Sequence, residues 1–106
     1  MVTKARLREK MKPFVRRFRG LAHIYRLGIV YLLAHESMTA SALAECMGIQ
    51  ENLASHHLKS LYVSGWVLRV RSGREMTYRL NERAYGEFTR LFEDTPFEQS
   101  YRKNQK

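Results

Sequence analysis

The sequence predicts a mainly α-helical single domain of about five helices carrying one small β-hairpin. Three observations support this. Apolar residues recur at spacings of three and four through most of residues 3–63 and again over 82–94. Gly48 and Gly65 each stand where such a periodic segment stops. Residues 66–71 and 75–80 alternate in character on either side of Ser72-Gly73. Helix, tight turn, helix and then a hairpin is the outline of a winged helix-turn-helix.

The bulk properties fit that outline. A chain of 106 residues is one domain, 1–106, with a modest core. Hydrophobic residues make up 44%, which suits a folded chain rather than a disordered one. A formal charge of +9 calls for a polyanionic partner, nucleic acid first and an anionic membrane surface second. No apolar run approaches the ~20 residues that cross a bilayer. The basic N-terminal residues contain no signal-like apolar segment, so the expected location is the cytoplasm, with no membrane partner. Cys46 is the only cysteine, which excludes an internal disulfide and fits a reducing compartment.

In chain order, Leu7, Met11, Phe14, Val15 and Phe18 form one helical stripe among basic residues. Pro13 interrupts it, so residues 1–12 are expected to be a loose basic arm and a firm helix to start near 13. Residues 20–35 read as the central core helix, with more than one apolar face. Ser37 or Thr39 is placed to cap a helix over 39–47, which Gly48 ends. The next helix runs from Gln50 or Glu51 to Val63, stopped by Ser64-Gly65. The hairpin follows over 66–80. Asn81 caps a last helix over 82–94, and residues 96–106 are expected to be a loose tail.

The helix over 50–63 has two sides. Ala54, Leu58 and Leu61 form a core side. The other presents Asn52, Ser55, His56 and Lys59, with Gln50 and Glu51 at its start. These residue types suit base edges: Asn and Gln pair with adenine, Glu accepts from cytosine, and Ser adapts to either. Lys59 and Ser55 also suit phosphates. Without a hairpin beside it, such a face reads as ordinary solvent-facing helix. The hairpin adds Arg69, Arg71, Arg74 and Arg79, suited to backbone phosphates or a narrow minor groove, or else to protecting an exposed strand edge.

Other chemistry finds less support. His56 and His57 are adjacent, so they point about 100° apart on a helix and do not chelate one ion. His23 and His35 lack ligand spacing, and no metal or cofactor is expected. Cys46 reads as a small buried hydrophobe rather than a redox switch. No nucleophile, base and orienting group come together in sequence, so an enzyme is not expected.

The residues also resemble a known family. FRGLAHIYRLGIVYLL at 18–33 is similar to the "LADPTRLRIL" helix of the ArsR/SmtB winged-helix repressors. Leu21-Ala22 and Arg26-Leu27 match, while His23, Ile24 and Tyr25 replace Asp-Pro-Thr. Ser55, His57 and Leu58 stand at the family's Ser-x-His-Leu positions, and residues 63–67 resemble its x-Ala-Gly-Leu-Val segment. The resemblance covers about residues 18–92. It implies a homodimer built on the first and last helices, here through Leu7, Met11, Phe14, Phe18, Tyr85, Phe88, Leu91 and Phe92. It also implies double-stranded DNA with a pseudo-palindromic operator as the partner. The family's metal-ligand motifs are missing: its leading position falls near Ala44, Cys46 stands alone, and the last helix has no histidine. The expected function is that of a DNA-binding transcriptional repressor. A winged-helix protein-interaction module and a MarR-like regulator are the alternatives.

Overall fold

Two glycines with positive φ set the frame of the structure, a computed structural model that describes residues 3–105. Gly48, at φ 66°, ends a helix over Ala40–Met47 and turns the chain into a second over Glu51–Ser64. Gly65, at φ 93°, ends that second helix and delivers the chain into a strand. Both positions lie in the left-handed region that glycine enters without a Cβ penalty. Numbered in chain order, the elements are α1 (Lys4–Leu21), α2 (Ile24–Leu33), β1 (Met38–Thr39), α3 (Ala40–Met47), α4 (Glu51–Ser64), β2 (Val67–Ser72), β3 (Glu75–Leu80), α5 (Glu82–Leu91) and α6 (Pro96–Lys103). The winged helix-turn-helix is therefore present, with α3 and α4 as the helix pair and β2–β3 as the wing.

The core gathers Ile29 and Leu33 of α2, Leu43 of α3, Leu58 and Leu61 of α4, and Trp66 and Val67 at the base of the wing. The expected core side of α4 is correct, since Ala54, Leu58 and Leu61 are all fully buried. Caps fix the element ends. Thr39 Oγ1 accepts from the Ala42 N–H at 3.1 Å. Asn81 Oδ1 accepts from the Arg83 N–H, and its Nδ2 donates to the Gly65 carbonyl at 3.0 Å, which ties the start of α5 to the end of α4. Each such cap satisfies a backbone or turn group that the helix leaves open.

Four details differ from the sequence reading. First, α1 is continuous through Pro13, so residues 4–12 are helical rather than a loose arm; Met1 and Val2 lie outside the described residues. Pro13 is exposed, so the carbonyl one turn back that loses its donor belongs to a solvent-facing stretch. Second, the helix expected over 20–35 begins later. Gly20 and Leu21 belong to α1, and His23 caps α2, its Nδ1 accepting from the Tyr25 N–H at 3.0 Å. Gly20 is buried against α4, where a Cβ would overlap the Ser64 side chain. The Trp66 indole N–H, donating to the Arg17 carbonyl at 2.6 Å, fixes α1 beside α4.

Third, the wing is part of a three-stranded antiparallel sheet of order β1-β3-β2, with Met38 opposite Tyr78 and Thr39 opposite Thr77. Fourth, the expected loose tail forms α6 over Pro96–Lys103. Thr95 Oγ1 caps it through the Glu98 N–H, Pro96 opens it, and Arg102 pairs with Glu98 one turn earlier.

The radius of gyration is 16.6 Å. A compact domain of this length has about 13 Å. The excess reflects helices that extend beyond the core. Among the described residues no helix is long and apolar enough to cross a membrane.

Candidate nucleic-acid interface

The sequence-predicted reading residues share one surface. Gln50, Glu51, Asn52, Ser55, His56 and Lys59 are all exposed, on the side of α4 opposite its buried residues. Beside them, Thr39, Ser41, Glu51, Ser55, Arg74 and Tyr78 help line an open concavity of about 460 Å³. It joins the first turn of α3, the first half of α4 and the wing. Ser41 and the start of α3 were not singled out in the sequence, although the Thr39 cap was. A capped helix start directs free N–H groups and a partial positive charge outward, which suits a phosphate.

The four wing arginines do not act as one set. Register places Arg69 opposite Tyr78 and Arg71 opposite Met76, whereas Arg79 stands opposite Leu68. Side chains of opposed residues share a face, so Arg69 and Arg71 lie on the face that packs toward the helices and Arg79 on the other. The Arg69 guanidinium lies 4.1 Å from the centre of the Tyr62 ring on α4, an attraction between cation and ring face. Arg74 follows Gly73, whose φ of 64° makes the turn, and is the wing arginine that lines the concavity.

The histidines are closer than the sequence suggested. His57 is buried, and its ring centroid lies 4.4 Å from that of His23 and 5.5 Å from that of His56. Tyr25 adds an edge contact at 5.7 Å. His23 reaches this cluster because the chain breaks before α2. Nδ1 of His57 is buried with no hydrogen-bond partner. Burial, with help from neighbouring His23, Arg26 and His56, lowers the His57 pKa below its usual 6.5. Among the described residues no group of three or more His, Cys, Asp or Glu is arranged to hold a metal ion. Cys46 is exposed, which corrects the expectation of a buried side chain: it lies near the C-terminal end of α3, past the buried Leu43 and Ala44.

The end helices carry the apolar stripes the sequence placed there. Phe18 and Phe88 meet edge-to-face at 5.3 Å within the chain, and Arg17 pairs with Glu87 at 2.8 Å, so α5 rests on α1. Leu7, Tyr85 and Phe92 are more than half exposed, while Met11, Phe14 and Leu91 are half-buried. Phe97 and Tyr101 of α6 add exposed aromatic surface that the sequence reading missed by treating 96–106 as tail.

Residues 25–67 match the family model described as "Bacterial regulatory protein, arsR family". That segment spans α2, both helices of the helix-turn-helix and the first residue of the wing. This chain belongs to the ArsR/SmtB-like family of winged-helix proteins. The HTH-type transcriptional repressor SmtB of Mycobacterium tuberculosis is 39% identical over 62 residues, which is 58% of this chain and 46% of that protein. The chain thus spans about half the length of the curated relatives it matches. A homodimeric winged helix-turn-helix DNA-binding domain from Mycobacterium bovis, a possible ArsR-family transcriptional regulator, superposes with a TM-score of 0.71 at 28% identity over 82% of each chain. An ArsR-like transcriptional regulator from Rhodococcus sp. RHA1 gives 0.74 at 26% identity over 89% of each. In this ArsR-family chain the Ser-x-His-Leu positions divide by role: Ser55 faces solvent, while His57 and Leu58 are buried.

Proposed function

We propose that this chain is a DNA-binding transcriptional repressor that acts as a homodimer. The observation that carries the reading is the concavity in which the start of α3, the exposed side of α4 and Arg74 converge. In the proposed complex α4 lies in the major groove. Gln50, Glu51, Asn52, Ser55 and His56 read base edges, with Lys59 and the first turn of α3 on phosphates. Arg71 and Arg74 hold the flanking backbone. Arg69, committed to Tyr62, supports the wing, and Arg79 on the opposite face is not assigned a contact. The apolar surface of α1 and α5, through Leu7, Met11, Phe14, Phe18, Tyr85, Phe88, Leu91 and Phe92, forms the two-fold interface. It sets two copies of α4 about 34 Å apart on a pseudo-palindromic operator. Repression follows from operator occupancy, by similarity to the named repressor SmtB.

Fluorescence anisotropy on a genome-selected fragment and on random DNA tests this assignment. Asn52→Ala should cost about 1–3 kcal/mol on the selected fragment and little on random DNA. Arg71→Ala and Arg74→Ala should weaken both alike and reduce the salt dependence. Equal losses on both DNAs for all three variants would remove the base-reading role from α4. No salt-sensitive binding at micromolar protein would favour a protein-interaction module on the same surface.

A further inference from the structure

The opposite flank of α4 carries a second cavity. It holds about 430 Å³ between α1 and α4 and is lined by Arg16, His56, Lys59, Ser60, Val63 and Ser64. Its composition differs from the concavity beside the wing, which includes Glu51 and Glu75. No carboxylate lines this one. Among the described residues, neither Arg16 nor Lys59 takes part in an ion pair. Arg16 arises from α1, whose position beside α4 is set by the close approach of Gly20 to Ser64 and by the Trp66–Arg17 hydrogen bond. The guanidinium is therefore carried on a packed helix rather than on a mobile arm. Ser60 Oγ makes only a long 3.4 Å bond to the His56 carbonyl and is free to turn onto a ligand. Val63, 69% exposed, supplies an apolar wall.

From this arrangement we propose that the α1–α4 groove is an oxyanion site that seats a phosphate group. Arg16 presents a planar fork of donors matched to two phosphate oxygens. Lys59 adds a point charge from the facing helix, and Ser60 and His56 complete the donor set. The apolar wall fits the carbon skeleton of a phosphate ester. Such a phosphate has two sources: the backbone of DNA on the side of α4 away from the wing, or a free phosphate ester. The first source rests on the DNA-binding reading above; the second does not.

The test uses the full chain, with inorganic phosphate and a duplex as probes. Amide resonances of Ser60, Val63 and Ser64 are followed while inorganic phosphate is titrated at constant ionic strength. In parallel, duplex affinity is measured as a function of salt. Arg16→Gln and Lys59→Gln are compared with Lys103→Gln on α6, which removes the same charge far from the groove. Arg16 and Lys59 are exposed, so their thermal midpoints should match the parent's. Saturable phosphate shifts, lost in Arg16→Gln and Lys59→Gln and kept in Lys103→Gln, support the site. A DNA-backbone source lowers the slope of log affinity against log salt by about 0.9 for Arg16→Gln. Saturable shifts with an unchanged slope assign the groove to a free phosphate ester. Non-saturating shifts shared by all variants, with an unchanged slope, overturn the proposal. If the parent chain binds no DNA yet shows the saturable shifts, the regulator reading fails while the oxyanion site stands.

Discussion

The helix-turn-helix with its wing and the shell of α1, α5 and α6 are built to different standards. In the first, Ile29, Leu33, Leu43, Leu58, Leu61 and Val67 are at most 5% exposed, Thr39 caps α3, and Gly48 and Gly65 make the turns that end α3 and α4. In the second, Leu7, Phe18, Tyr85, Phe92, Phe97 and Tyr101 all remain exposed, and only Ala84 of α5 and Gly20 of α1 are buried. Both regions are amphipathic in sequence. The difference is that the first region holds the buried cluster, with exposed apolar residues such as Val63 and Val70 standing outside it, while the second buries no large apolar side chain in one copy. A second copy, related by a two-fold axis, is the cover that the proposed dimer provides.

The largest effect should come from the self-sufficient region. Leu58→Ala should cost about 2–5 kcal/mol in urea unfolding, because the site is fully buried and its neighbours are held by both helices and the wing. A loss under ~1 kcal/mol would mean that the framework is looser than its packing implies. The shell should respond to concentration instead. Tenfold dilution should lower the melting temperature of the parent by about 3 °C if folding and association are coupled. Phe92→Asp should abolish that dependence while leaving the helical content of α3 and α4 in place. A dilution-independent parent would place the stability of the shell within one chain.

The smallest effect is pH dependence from His57. Its pKa is lowered in the folded chain, chiefly by burial and secondarily by His23, Arg26 and His56. The unfolded chain therefore takes up a proton more readily than the folded one. This contribution to stability is intact above about pH 6.5 and is lost as pH falls toward the folded-state value. Melting temperatures between pH 7.5 and 5 should fall in the parent and fall less in His57→Gln. Equal slopes would show that the buried ring is not the group being titrated.

The legible parts of the fold were those set by local chemistry. Gly48, Gly65, Thr39 and Asn81 act on their own neighbours, so their caps and turns followed from the sequence. So did the division of α4, because a 3.6-residue period alone separates Leu58 and Leu61 from Asn52 and Lys59. What was not legible depended on distant contacts. The preference of Pro13 to break a helix is local, yet α1 runs through it, and Gly20 and Trp66 hold its far end against α4. β1 exists only because Tyr78, forty residues later, pairs with Met38. The histidine cluster required His23 and His57 to be brought together by the α2–α4 packing, a distance no spacing rule encodes. The wing arginines were legible as a group but not as individuals. Alternation joined Arg69 to Arg71, but it could not show that Arg69 lies over the Tyr62 ring of α4 and that Arg74 is the wing arginine lining the concavity.

The proposed two-fold regulator is tested most directly by hydroxyl-radical footprinting of a genome-selected fragment, combined with sedimentation of the complex. The account predicts two chains per fragment and two protected patches about 34 Å, or 10–10.5 base pairs, apart. One chain on a single protected patch, with the same affinity on random DNA, would contradict it.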